Sequence, residues 1–211
     1  MSAARPVRPA LNRDYIIRTA LAIIDRDGLA KLSMRRLGQE LGTDPMAVYH
    51  YLPSKAALFD GVVEAVYREI DLTGFDLDAP WRDQLTAFLH ALRAAIRRHP
   101  NALPVLSTRP AYVPAMLGYG EHALGVLTAA GFTTRQAIDM VNCLGTFTIG
   151  HVLAEIGEPV GGATATGEEL AALVSSYPLL AAAFGGGYEY RPDEQYELGL
   201  QAMLDGFARL L

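Results

Sequence analysis

The chain has 211 residues, a formal net charge of −5, 51% hydrophobic and 19% charged residues. That is long enough for a sizeable core, and richer in apolar side chains than the interior of an ordinary monomer needs, so part of the surplus is expected at an interface. The single cysteine, Cys143, excludes an intrachain disulfide and a multi-cysteine zinc site, and no uninterrupted run of eighteen apolar residues marks a membrane span. Met1 to Ala10 lacks the apolar stretch of a signal peptide, so the expected location is cytoplasmic.

The average charge hides an asymmetry. Residues 1–60 carry nine Lys and Arg against six Asp and Glu, whereas residues 61–211 carry nine against seventeen. A basic head on an acidic body suits a protein that meets phosphates at one end, although uneven chance placement gives the same balance.

In chain order nearly every segment reads as helix. Asn12 caps a first helix, about 12–27, with Ile17, Leu21 and Ile24 on one face and Gly28 as its stop. Ser33 caps a second, about 34–41, closed by Gly42. Thr43-Asp44-Pro45 starts a third, about 45–51, because an acceptor side chain followed by proline at the first helical position is a start signal. Ser54 caps a fourth, expected to run to about Ile70. A looser stretch from Asp71 to Pro80 then suggests a boundary between a unit at 1–70 and a larger one at 71–211.

Beyond it lies an amphipathic helix from Trp81 to His99, stopped by Pro100. A short helix broken by prolines follows, then one from Tyr112 to Ala130, and one at about 134–157 introduced by the capping box Thr133 and Gln136. Gly157 to Gly167 reads as a loop, and Thr166 with Glu169 as a further capping box. Two short helices, the second over Pro178 to Phe184, precede a last one from Pro192 to Leu211. No segment alternates as a strand should, so the expected fold class is all-α.

Two short helices joined by Gly42-Thr43-Asp44 and braced by a longer one have the spacing of a helix-turn-helix, here about 33–52. The run Leu32-Ser33-Met34-Arg35-Arg36-Leu37, followed by Leu41-Gly42-Thr43-Asp44-Pro45-Met46-Ala47-Val48-Tyr49-His50-Tyr51-Leu52-Pro53-Ser54-Lys55-Ala56-Ala57-Leu58, resembles the DNA-binding domain of the TetR family. The resemblance covers about residues 12–70. It implies that Tyr49 and Lys55 meet backbone phosphates and that Arg35 approaches bases or phosphates. Ser33 or Thr43 adds hydroxyl contacts. Readout would fall to Arg35, Thr43, Met46, Ala47 and His50, with Arg35 the one side chain able to grip guanine in bidentate fashion. Asp44 belongs to the same turn. Met46 packed inward and His50 as a solvated tip are equally compatible with the residues. Arg5, Arg8 and Arg13 form either a DNA-binding arm or a plain tail.

Residues 81–211 resemble more weakly, through Trp81-Arg82-Asp83-Gln84-Leu85, Arg98-His99-Pro100 and Ala130-Gly131-Phe132-Thr133, the ligand-binding and dimerisation domain of the tetracycline-repressor branch. The helix at 134–157 is apolar nearly all round: Met140, Leu144, Phe147 and His151 fall on one face, and Ile138, Val141, Gly145, Thr148 and Val152 on the other. The last helix offers Tyr196, Leu200, Met203, Leu204, Phe207 and Leu211 as the second half of a homodimer interface. Candidate effector contacts are Phe88, Leu92, His99, Met116, Tyr119, Phe147, His151, Tyr177 and Phe184, although for any one of them a plain core position is the commoner role.

These readings imply a repressor that binds a palindromic operator in double-stranded DNA and is released by a small apolar or aromatic effector, with neither cofactor nor metal. Rival classes are an enzyme using the helical pocket and a helical interaction module. Against the enzyme stands the lack of a nucleophile with an adjacent base, a glycine loop between strand and helix, or a metal cluster in the sequence.

Overall fold

The computed structural model describes residues 10–73, 76–109, 114–157, 167–185 and 188–211. Among them lie eleven α-helices and no strand. The N-terminal part holds α1 (Arg13–Asp27), α2 (Met34–Leu41), α3 (Pro45–Tyr49) and α4 (Lys55–Tyr67). The larger part holds α5 (Trp81–Arg97), α6 (Leu103–Thr108), α7 (Pro114–Ala129), α8 (Thr134–Ile156), α9 (Gly167–Val174), α10 (Pro178–Gly185) and α11 (Pro192–Ala208).

The helix starts follow the capping side chains. Asn12 accepts from the Tyr15 amide at 2.8 Å, Ser33 from Arg36 at 3.1 Å, Asp44 from Met46 at 2.7 Å and Ser54 from Ala57 at 3.0 Å. Thr133 and Gln136 form the reciprocal box. Gly28, Gly42 and Gly131 are the positive-φ residues among those described, at 84°, 68° and 109°, each just past a helix end where a Cβ would be strained. The expected box at Thr166 and the start at Tyr112 lie outside the described residues.

Several expected ends shift inward. Leu52 and Tyr51 both bond to the Val48 carbonyl, so the chain tightens and α3 stops at Tyr49. Ile70 and Glu69 likewise make i to i−3 bonds beyond α4, which ends at Tyr67. Likewise α5 ends at Arg97 and α11 at Ala208.

The core is continuous. In the N-terminal part α1 packs on α4, and α2 on α1 and α3. In the larger part α8 is the hub, contacted by α5, α6, α7 and α11. The buried stripe of α8 is Ala137, Met140, Leu144, Thr148 and Val152, so Thr148 and Val152 point inward with Met140, contrary to the expected division of faces. Ile138, Asn142, Cys143, Thr146, Gly150 and Leu153 point outward. The expected α11 stripe is also redirected: Tyr196, Leu200 and Leu204 are fully buried in their own subunit, and the outward row is Leu198, Ala202 and Gly206. A polar knot pins α5, α8 and α11 together. Arg93 bonds Glu155 and Asp193 at 2.7 Å each and lies over the Tyr196 ring, while the Tyr196 hydroxyl and Thr148 are 2.9 Å apart.

Candidate nucleic-acid interface and effector cavity

Gly38 is the pivot of the α2–α3 turn. A Cβ there would lie 3.0 Å from the Thr43 carbonyl oxygen and 3.2 Å from the Pro45 ring, so the absence of a side chain lets the two helices close. With Val48 and Leu52 buried below, the other side of α3 and its C-terminal turn are turned outward. Met46 is 67% exposed, which removes the inward-packed alternative, and Tyr49, His50 and Tyr51 are exposed beside it. Thr43 and Ala47 are half-buried.

Ser33 and Asp44 are engaged as helix caps. Asp44 thereby orients α3, and a carboxylate offers no hydrogen to a phosphate; Ser33 keeps its hydroxyl hydrogen for one. Arg35 is exposed with no ion pair among the described residues, whereas the adjacent Arg36 is 3.6 Å from both Asp27 and Glu40. Lys55 opens the thirteen-residue α4 with its ammonium 5.3 Å above the Phe59 ring. There it adds a positive charge to the free amides of the first turn, a combination suited to a phosphate. Arg13, by contrast, is held by the buried Glu64 at 3.0 Å, so it is part of the fold instead of a free arm; Arg5 and Arg8 lie outside the described residues.

The larger part contains a cavity of about 230 Å³ between α5, α7 and the connection after α4. Phe88 and Tyr119 line it with their rings 5.3 Å apart, joined by Leu72, Leu77, Leu85 and Val126. Its polar wall is Gln84 and His122. Gln84 spends its amide hydrogens on the carbonyls of Leu77 and Ala79, at 2.9 and 2.7 Å. Its oxygen, 2.9 Å from His122 Nε2, is then the acceptor of that pair, which sets the histidine tautomer. Among the described residues that line it, none carries a charged side chain.

Of the expected effector contacts, Phe88 and Tyr119 reach this cavity and the others do not. Leu92 is buried core, and Met116 packs against that core. His99 is turned toward Asp25 and Glu69 instead. Phe147 and His151 gather around Tyr196, with ring separations of 5.4 and 5.3 Å, because α8 twists that row toward α11. Tyr177 and Phe184 lie on the exposed side of the α9–α10 pair. Gln84, one turn before Phe88, and His122, three residues after Tyr119, were legible from helical spacing. Leu72 and Leu77, in an irregular connection, carried no periodic signal.

Fold and site together define a helix-turn-helix DNA-binding protein with an apolar cavity in its helical body. Residues 16–62 match the family described as bacterial regulatory proteins, tetR family, and residues 76–211 match the tetracyclin repressor-like C-terminal domain. An HTH-type transcriptional regulator of Saccharopolyspora erythraea is 31% identical over 95% of this chain and 86% of its own length. A class A tetracycline repressor of Escherichia coli is also 31% identical, over 94% and 91%. The crystal structure of the Streptomyces coelicolor TetR family protein ActR in complex with actinorhodin superposes with a TM-score of 0.82, at 26% identity and 95% and 98% coverage. The chain belongs to the TetR family: it is a ligand-responsive, DNA-binding transcriptional regulator whose partners are operator DNA, a small molecule and a second copy of itself.

Proposed function

We propose that the chain is a cytoplasmic, non-enzymatic repressor in which residues 1–70 read a palindromic operator and residues 71–211 dimerise and hold the effector. Arg35, Met46, Ala47 and His50 would face base edges, with Ser33, Thr43, Tyr49 and Lys55 on phosphates. The observation that carries this reading is the outward placement of Arg35, Met46, Tyr49 and His50 on the helix-turn-helix and of Lys55 at the start of α4, with Arg35 free of ion pairs among the described residues while its neighbour Arg36 lies near Asp27 and Glu40. An effector for the α5–α7 cavity is a small, uncharged, largely aromatic molecule, since Phe88 and Tyr119 offer ring faces and none of the described lining side chains would balance a charge.

The dimer forms through the outward faces of α8 and α11. By length and composition the 23-residue α8 is apolar enough to cross a membrane. Its inner stripe is embedded in this subunit's core, however, and the outer one, with Ile138, Thr146, Gly150 and Leu153, faces the twin helix in this reading. Two recognition helices would then stand one DNA turn apart, about 34–36 Å.

Selection of bound sequences from random duplex DNA tests the proposal. A palindrome is the expected outcome, and Tyr49→Ala should weaken binding to all selected sequences alike. Failure to enrich any sequence by a folded dimer at low salt refutes it.

A further inference from the structure

The recognition unit is held on the body by two kinds of contact. Packing of α4 against α5, α6 and α7 is apolar in large part, and apolar contact is non-directional: it holds surfaces together without specifying their angle. Hydrogen bonds and ion pairs are directional, and here they concentrate at one place. His99 is 8% exposed, and its Nδ1 lies 2.9 Å from a carboxylate oxygen of Asp25, in the last turn of α1. Its Nε2 lies 3.1 Å from a carboxylate oxygen of Glu69, just beyond α4, near enough for electrostatic attraction but outside hydrogen-bond geometry, so the directional bonds to Glu69 come from Arg98. Arg98 bonds the same Glu69 through side chain and backbone, at 3.0 and 2.8 Å, and the Asn101 amide donates to the Asp25 carbonyl at 2.9 Å. Three residues of one short segment thus bind the ends of two helices of the recognition unit.

We propose that this clasp of His99, Arg98 and Asn101 on Asp25 and Glu69 fixes the angle of the recognition unit on the body, and so sets the half-site spacing that the dimer accepts. The inference rests on the palindromic reading above. None of these residues faces DNA in that reading; they are positioning residues acting through α1 and α4. Two features make the clasp costly to break. The other Asp25 carboxylate oxygen is buried without a hydrogen-bond partner, so His99 is the group that meets its charge. Burial favours the neutral acid at Glu69, yet His99 and Arg98 hold its carboxyl below the usual range. A second strap, Arg109 to Asp60 of α4 at 2.7 Å, limits rotation about the first.

One inserted base pair separates half-sites by about 3.4 Å and rotates them by about 35°. A symmetric dimer would share this as about 1.7 Å and 17° per recognition unit, a displacement that directional bonds resist and apolar packing tolerates. The experiment compares operator palindromes whose centre is lengthened or shortened by one base pair, using full-length wild type, Asp25→Asn, and Asp25→Asn with His99→Gln. The single variant is isosteric, which keeps a folded test protein available if the double variant is lost. Wild type should lose about tenfold or more in affinity on either change of spacing, and the variants less than about threefold, with binding to an isolated half-site unchanged. Folded, dimeric variants that keep the full spacing penalty overturn the inference while leaving the operator reading intact. A wild type that enriches no palindrome overturns both.

Discussion

Gly61 of α4 tests the close approach of α4 to α1. A Cβ added there would lie 2.4 Å from Cδ1 and 2.7 Å from Cγ1 of Ile17, a residue only 3% exposed. Carbon atoms in ordinary contact are roughly 3.5–4.0 Å apart, so the isoleucine must retreat by about 1 Å into a packed core. Overpacking of this kind costs about 1–3 kcal/mol, while alanine in place of glycine within a helix returns about 0.5–1 kcal/mol. Gly61→Ala should therefore destabilise by a net of up to about 2.5 kcal/mol. Ile17→Ala alone should cost about 2–5 kcal/mol through the void it leaves. In the double variant the new methyl enters that void, so the overpacking disappears and the pair should be more stable than the sum of the singles by about 1–3 kcal/mol. Urea unfolding at one fixed protomer concentration measures this, because stability of a dimer depends on concentration. Stabilisation by Gly61→Ala, together with additivity in the double variant, would refute the packing argument.

Two further outcomes follow from groups described above. Arg35→Ala should lower operator affinity at least about tenfold, and Arg36→Ala, already tied to Asp27 and Glu40, less than about threefold, read by fluorescence anisotropy at one salt concentration; equal losses would show that pairing does not separate their roles. Burial, reinforced by the nearby Arg93, lowers the His151 pKa from its usual value, with Glu155 and Asp193 opposing. The unfolded chain then binds the proton more readily. Stability from this site is full above about pH 6.5, the ordinary histidine value, and declines as pH falls through the folded-state value. Thermal melts from pH 8 to 5 should show a shallower decline for His151→Phe, and an unchanged slope would reject this site as the source.

The helices and their stops were legible because their causes are local. Asn12, Ser33, Asp44, Ser54 and Thr133 each cap amides two or three residues away, and Gly28, Gly42 and Gly131 each free their own φ. The helix-turn-helix shares that property, since Gly38, Thr43 and Pro45 meet across seven residues. The destinations of the apolar and titratable side chains were not legible, because they depend on partners far along the chain. His99 finds Asp25 from 74 residues away, and Tyr196 finds Thr148 from 48. Leu92 and Phe88 share one amphipathic face, yet one is core and the other lines a cavity. Periodicity tells which side of a helix is apolar; only the packing of α5, α7, α8 and α11 around one another decides whether that side meets core, effector space or a second subunit.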